Sequence, residues 1–275
     1  MPASTPTLFI ATPCLDGNVS AHYTASLVRT MTALQQRGWR SPRIDFEIGN
    51  SLIADARNKL VARFLASDCS DLVFIDSDLS WSADDLLKLV SYDTPFVAGV
   101  YQRKSRTKID FAVKFGPAIG LDAQRLIAVE RAGTGFMRLR RDCLEKMIAA
   151  HPALRLRHPA NPDERHFYAL FDTGIVDGEF IGEDFLFCDR WRAIGGQVLV
   201  DPALNFGHHG TAAFDEPLLK QAGLVESNGE GNRLIDGGGV RIDQVVISDK
   251  GLKVEPGTYV VQVGKRKFAR VTLTA

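Results

Sequence analysis

The 275-residue chain predicts an α/β fold: a mixed, mostly parallel sheet flanked by helices, with a small C-terminal β appendage. Three observations carry this expectation. Apolar runs alternate with amphipathic helical stretches through the first hundred residues. One run, Leu72-Val73-Phe74-Ile75, has no polar interruption, as in a strand covered on both faces. From residue 240 onward, Val, Ile and Tyr alternate with charges around Asp249-Lys250-Gly251 and Pro256-Gly257, a hairpin pattern.

Taken in order, residues 7–11 form a first buried strand ending at Thr12-Pro13. Residues 20–37 read as a helix, with Leu27, Met31 and Leu34 at helical spacing and Gly38 at its end. Ile44, Phe46 and Ile48 alternate with charged residues, which predicts a half-buried strand. Residues 53–66 place Ala56, Leu60, Val61, Phe64 and Leu65 on one helical face. The strand at 72–75 ends in Asp76-Ser77-Asp78, and Ser82 with Asp85 forms a capping box ahead of Leu86, Leu87 and Leu89. Residues 96–100 are the next buried strand. Such β-α-β alternation with short connections builds a mostly parallel sheet.

Beyond Tyr101 the pattern changes. Residues 102–108 are a basic loop, followed by short strands at 109–115, 126–130 and 136–139. Gly133-Thr134-Gly135 lies between two of these, where backbone passes close to a ligand or turns tightly. A helix at 142–150, a surface loop at 151–166, a strand at 167–171 and a mobile loop at 172–182 follow. A helix at 183–194 closes at Gly195-Gly196, and strands at 198–201 and 203–206 end at Gly207-His208-His209-Gly210. The expected division is a principal domain at 1–211, a linker at 212–239 and the appendage at 240–275.

Thirty-three basic and 33 acidic residues cancel, so no global charge points to nucleic acid or an anionic membrane. Cys14, Cys69, Cys143 and Cys188 are scattered and read as reduced thiols of a cytoplasmic protein. The first residues lack a secretion signal, and no apolar segment is long enough to span a bilayer.

The chemistry is expected at the carboxyl end of the 72–75 strand, because ligands of open α/β sheets sit in the crevice beyond strand ends. Asp76 and Asp78 can both reach a hard divalent cation, the usual partner of a diphosphate. A polar turn would also use this tripeptide. A haloacid dehalogenase-type phosphatase places its nucleophilic Asp in a similar pattern, but near the N-terminus and followed by Gly-Thr, whereas here Leu79-Ser80-Trp81 follows.

Asp76-x-Asp78, Gly133-Thr134-Gly135-Phe136-Met137, Gly182-Glu183-Asp184 and Gly207-His208-His209-Gly210, in this order, resemble GT-A glycosyltransferases. The likeness is greatest to family 2-like bacterial and phage members, while Ala56-Arg57-Asn58 resembles the Anp1-type mannosyltransferases. It covers roughly residues 7–210. It implies a metal-dependent transfer of one hexosyl group from a nucleotide-diphosphate sugar to an acceptor hydroxyl.

By this resemblance Asp76 contacts the ribose or metal, Asp78 coordinates Mn²⁺ or Mg²⁺, and His208, rather than His209, supplies a further ligand. Glu183 and Asp184 match the acidic pair at a helix start, with Asp184 as base in an inverting reaction; two acids there also favour the helix dipole. Arg190, Trp191 and Gly195 continue the likeness. Arg57 and Lys104 are cation candidates for the leaving diphosphate. Thr12 and Pro13, at the end of the first strand, and Ser51, at the start of the second helix, are placed to line the expected nucleotide pocket or else serve as turn and cap residues, and Asn58 and Ser77 join that pocket.

Glu47-Ile48-Gly49-Asn50 lacks the paired acids that many family 2 members carry there, and no Gln-x-x-Arg-Trp motif is present, so single transfer is expected. The acceptor is open: a saccharide, a lipid-linked sugar or a protein. The competing classes are a nucleotidyltransferase, which usually has a Gly-rich basic loop after the first strand, and a non-catalytic sugar- or nucleotide-binding module whose C-terminal strands serve homo-oligomer assembly.

Overall fold

The computed structural model describes residues 5–103, 111–116, 120–157, 166–209, 219, 222–249, 257–264 and 266–273. The chain divides into two units, Met1–Gln102 with Phe111–Gly210, and Arg103–Asp110 with Thr211–Ala275.

In the first unit β1 (Leu8–Cys14), α1 (Ala21–Gln36), β2 (Arg43–Ile48), α2 (Ile53–Leu65), β3 (Asp71–Ile75), β4 (Leu79–Trp81), α3 (Ala83–Ser91) and β5 (Phe96–Gly99) follow one another. This is the alternation expected from the apolar runs, with the short β4 added. The capping box forms: Ser82 Oγ accepts from the Asp85 amide at 3.1 Å, and the Asp85 carboxylate accepts from the Ser82 amide at 3.3 Å. Then come β6 (Val113–Lys114), β7 (Ile127–Val129), β8 (Arg131–Ala132), β9 (Phe136–Arg140), α4 (Arg141–Ala150), β10 (Gly174–Val176), β11 (Glu179–Ile181), α5 (Glu183–Ala193), β12 (Val198–Asp201) and β13 (Phe206–His208).

The main sheet has the order β2-β1-β3-β9-β5-β12-β7. Five strands run one way, and β9 and β7 oppose them. Alternate residues of its strands feed two apolar layers. Phe9, Leu72 and Phe74 meet Phe64 of α2 and Phe187 of α5 on one face. Leu8, Ile10, Val73 and Ile75 meet Tyr23 of α1 and Leu86 of α3 on the other. Arg138, fully buried in β9, donates to the carbonyls of Thr94 and Tyr92 and lies 3.6 Å from Asp71, which fixes the turn into β5.

The structure departs from the sequence expectations in several places. Ile48 is 63% exposed, while its neighbour Glu47 is buried against Lys59 at 3.5 Å and against Arg63. Residues 167–171 make only an isolated bridge, between Tyr168 and Arg155. The expected mobile loop at 172–182 holds the hairpin β10–β11, turned by Asp177 and Gly178 at φ 51° and 82°. The strand expected from Ala203 begins at Phe206 and pairs with β4.

In the second unit, α6 (Asn228–Asp236) occupies part of the expected linker. β14 (Val240–Ile242), β15 (Val245–Val246), β16 (Gly257–Val263) and β17 (Lys267–Leu273) form an antiparallel sheet in the order β15-β14-β16-β17. One face of that sheet packs Val240, Val261 and Val263 against Leu219, Leu224, Val225, Leu234 and Ile235.

Among the described residues, no helix is long and apolar enough to cross a membrane. All four cysteines are free and buried. Burial pushes the Cys188 thiol up to about 12 and raises that of Cys143 as well, so both stay protonated and unreactive.

Candidate functional site

β3 delivers Asp76, Ser77 and Asp78 to the end of the sheet, and three other segments converge on them. The first is β13, which pairs with β4 so that His208 lies opposite Leu79; beyond it the His209 amide donates to the Asp78 carbonyl at 2.8 Å. The second is the loop before β9, where the Asp76 amide donates to the Gly135 carbonyl at 2.9 Å. The third is the start of α5, which brings Glu183.

Arg57 of α2 ties two of these together. Its Nη2 lies 3.2 Å from Asp76 Oδ1 and its Nε 3.2 Å from Glu183 Oε1, and its guanidinium stands 5.4 Å from the centre of the Phe74 ring. The side chain is 5% exposed. Burial alone would lower its pKa, but the Asp76 and Glu183 carboxylates outweigh burial and hold it above the ordinary value. Nη1 is buried without a hydrogen-bond partner.

His208 Nε2 lies 3.5 Å from Asp78 Oδ1, and His208 Nδ1 lies 2.7 Å from the Gln102 carbonyl. A carbonyl only accepts, so Nδ1 carries the hydrogen and donates it. In the neutral ring, Nε2 then turns a lone pair toward a carboxylate oxygen. Two electron-pair donors facing each other at that distance suit a cation between them, and a backbone-anchored Nδ1–H is the usual support of a metal-binding imidazole. The pair therefore fits a divalent cation. Asp76, expected as a third ligand, is drawn to Arg57 instead, and no three His, Cys, Asp or Glu side chains among the described residues are grouped to hold a metal. His209 turns the other way, its Nε2 2.8 Å from Ser80 Oγ and its ring stacked on His22 at 3.9 Å.

The expected pocket residues are placed as follows. Thr12 is fully buried, with its hydroxyl 2.6 Å from the Tyr23 hydroxyl; it is a core contact rather than a ligand contact, and Pro13 beside it is buried too. Asn58 is 3% exposed and both donates to and accepts from the Phe171 backbone, at 2.7 and 2.9 Å, so it fixes that segment instead of a ligand. Ser51 is exposed and precedes the N-cap Leu52, whose amide is taken by Asn50. Ser77 is half-buried, and its carbonyl accepts from the Ser20 amide at 2.9 Å. Lys104 lies outside the described residues.

Glu183, expected as part of the catalytic pair, is committed to Arg57. Asp184 is half-buried, and its Oδ1 accepts from the Phe185 amide at 2.8 Å, the arrangement of an acid in a first helical turn. Arg190 donates to the carbonyls of Ala169 and Leu170 at 2.7 and 2.9 Å, and Trp191 Nε1 to that of Gln197 at 2.9 Å, so both brace α5.

Tyr101, which sequence reasoning does not reach, is central. Its phenol accepts from the Gly135 amide at 2.9 Å, and its ring meets His208 edge-on at 5.6 Å. A Cβ on Gly133 would lie 2.7 Å from the Tyr101 hydroxyl; one on Gly135 would lie 2.5 Å from Tyr101 Cζ and 2.8 Å from Asp76 Oδ2. The Gly-Thr-Gly sequence thus makes room for this ring and for Asp76. Burial, and the charge of Asp76, raise the Tyr101 pKa, so the phenol stays neutral.

The S4 domain family matches residues 218–260. At its C-terminal end the chain is 71% identical over 118 residues to a tyrosine–tRNA ligase of Burkholderia lata, covering 40% of this chain and 27% of the relative. With the tyrosine–tRNA ligase of Ralstonia nicotianae it shares 70% identity over 99 residues, 36% of this chain and 24% of the relative. The chain spans about a quarter of the length of these relatives. Among solved structures, A197 from STIV superposes with a TM-score of 0.45 at 16% identity, over 74% of this chain and 86% of that one. GalNAc-T7 with UDP, GalNAc and Mn²⁺ gives 0.45 at 10% identity, over 75% and 44%. The catalytic domain of Drosophila β1,4-galactosyltransferase 7 gives 0.39 at 18% identity, over 88% and 92%.

Proposed function

We propose that the first unit is a metal-dependent glycosyltransferase of the GT-A kind, moving a single sugar from a nucleotide-diphosphate donor to an acceptor hydroxyl. The observation that carries this reading is the approach of His208 Nε2 to Asp78 Oδ1 at 3.5 Å, at the carboxyl end of an interior strand. Asp78 and His208 would hold Mn²⁺ or Mg²⁺, and the bound ion would neutralise charge on the donor diphosphate. Asp184, at the start of α5, is the base that accepts the proton of the acceptor hydroxyl. Arg57 keeps Asp76 and Glu183 in place across the two sides of the site. We further propose that the second unit engages RNA, on the strength of its match to the S4 domain and to enzymes named for tRNA.

The test of the first reading is a thermal-shift screen of UDP, GDP, CDP and dTDP with and without Mn²⁺, on the wild type and on Asp78→Ala. A nucleotide that stabilises the wild type only with metal, with the gain lost in Asp78→Ala, is the expected result. No shift with any nucleotide overturns the reading. Release of pyrophosphate on incubation with a nucleoside triphosphate and a sugar phosphate would favour a nucleotidyltransferase instead.

A further inference from the structure

Among the described residues, the antiparallel sheet of the second unit packs one face on its own core and leaves the side chains of the other face exposed. In the β16–β17 register, Gln262 stands opposite Phe268 and Val260 opposite Arg270, so these four share the open side with Arg241, which pairs with Gln262 from β14. Phe268 is 57% exposed and Val260 42%. Asp243, Gln244, Val260, Gln262 and Phe268 line a shallow depression of about 480 Å³. Asp243 is anchored there, its amide donating to the Val260 carbonyl and its carboxylate accepting from the Val260 amide at 2.7 Å.

An exposed aromatic ring and a valine beside amide and carboxylate groups suit a flat heterocycle that stacks and offers hydrogen-bonding edges. The charge around it suits a phosphate backbone. Residues 240–275 hold seven Lys and Arg against three Asp and Glu, an excess of four, whereas the whole chain balances. Arg270 and Arg266 are exposed.

We propose that this open face takes an unpaired base of RNA, stacked on Phe268 with its edge toward Gln244 and Gln262, while Arg270 and Arg241 meet the flanking phosphates. The proposal rests on the reading of the second unit as RNA-binding, and it names the face and the residues.

Fluorescence anisotropy with the full chain, bulk tRNA and a labelled single-stranded RNA tests it. Phe268→Ala is expected to weaken both by about fivefold or more, in line with a stacking loss of about 1–3 kcal/mol per base; Phe268→Trp is expected to retain binding. Arg270→Ala is expected to lower the slope of log affinity against log salt by about one. Both positions are on the surface, and thermal melts check that each variant folds. If the wild type binds neither RNA, the RNA reading of the unit falls and this proposal with it. If the wild type binds and both Ala variants bind equally well with an unchanged salt slope, RNA contacts another face: the proposal is overturned and the broader reading stands.

Discussion

Arg57 is a permanent cation with almost no water around it, so its partners determine whether it can be accommodated. Replacing it with Met leaves Asp76 and Glu183 without their counter-charge, and loss of one side of a buried pair costs about 3–5 kcal/mol. Glu183→Gln keeps Asp76 beside the guanidinium and is expected to cost less, about 1–3 kcal/mol. Urea unfolding measures both; the opposite ranking would show that Arg57 does not join the two acids. Gly135→Ala brings a methyl against Tyr101 and Asp76 and is expected to cost about 1–3 kcal/mol and to abolish the metal-dependent gain from a nucleotide, whereas Gly133→Ala, away from Asp76, is expected to keep part of that gain. The pairing of Asp78 with His208 was expected in the sequence only through the family resemblance, and the fold brings the two side chains to 3.5 Å. The inward turn of Thr12 and Asn58 was not legible: a polar side chain on a strand or a helix can face the core, and the partners that hold these two inward, Tyr23 and Phe171, are 11 and 113 residues away.

At the scale of elements, α3 is fastened to β12 by a single buried acid. Asp201, 1% exposed, accepts from the Tyr92 hydroxyl and from Lys88 Nζ, each at 2.6 Å. Burial raises the pKa of this carboxyl, but the bonds from Lys88 and Tyr92 outweigh burial and hold it below its ordinary value of 3.8. A depressed carboxyl contributes stability that is present above the unfolded pKa and lost as the pH falls through the folded one. The wild type is therefore expected to lose stability below about pH 3.8, and Asp201→Asn to lack that part of the acid dependence, as read by denaturant midpoints across pH. Tyr92→Phe is expected to cost about 1 kcal/mol. The hairpin β10–β11 turns on Gly178 at φ 82°, so Gly178→Ala is expected to cost roughly 1 kcal/mol, seen as faster amide exchange at 179–181. Its Asp-Gly turn was present in the sequence as a hairpin signal. The place of β9 was not, because apolar periodicity identifies a strand without naming its neighbours, and only register with both β3 and β5 defines its position.

At the scale of the whole chain, the two units keep separate cores: Val240, Val261 and Val263 belong to neither apolar layer of the larger sheet. Calorimetry of the full chain is expected to show two transitions, of which a stabilising nucleotide with metal moves only one. A single transition that shifts as a whole would contradict this. The β-α-β half of the larger unit could be read from sequence because each element is local; its closure could not, since it depends on pairings between distant segments. The central position of β9 also bears on how the chain is made. β3 and β5 leave the ribosome well before their shared partner, and 41 residues separate Gly99 from Arg140, roughly 2–8 s at ordinary rates of synthesis. Through that interval two apolar strands wait with open edges, so the nascent chain has its greatest need of chaperone cover midway through translation rather than at release.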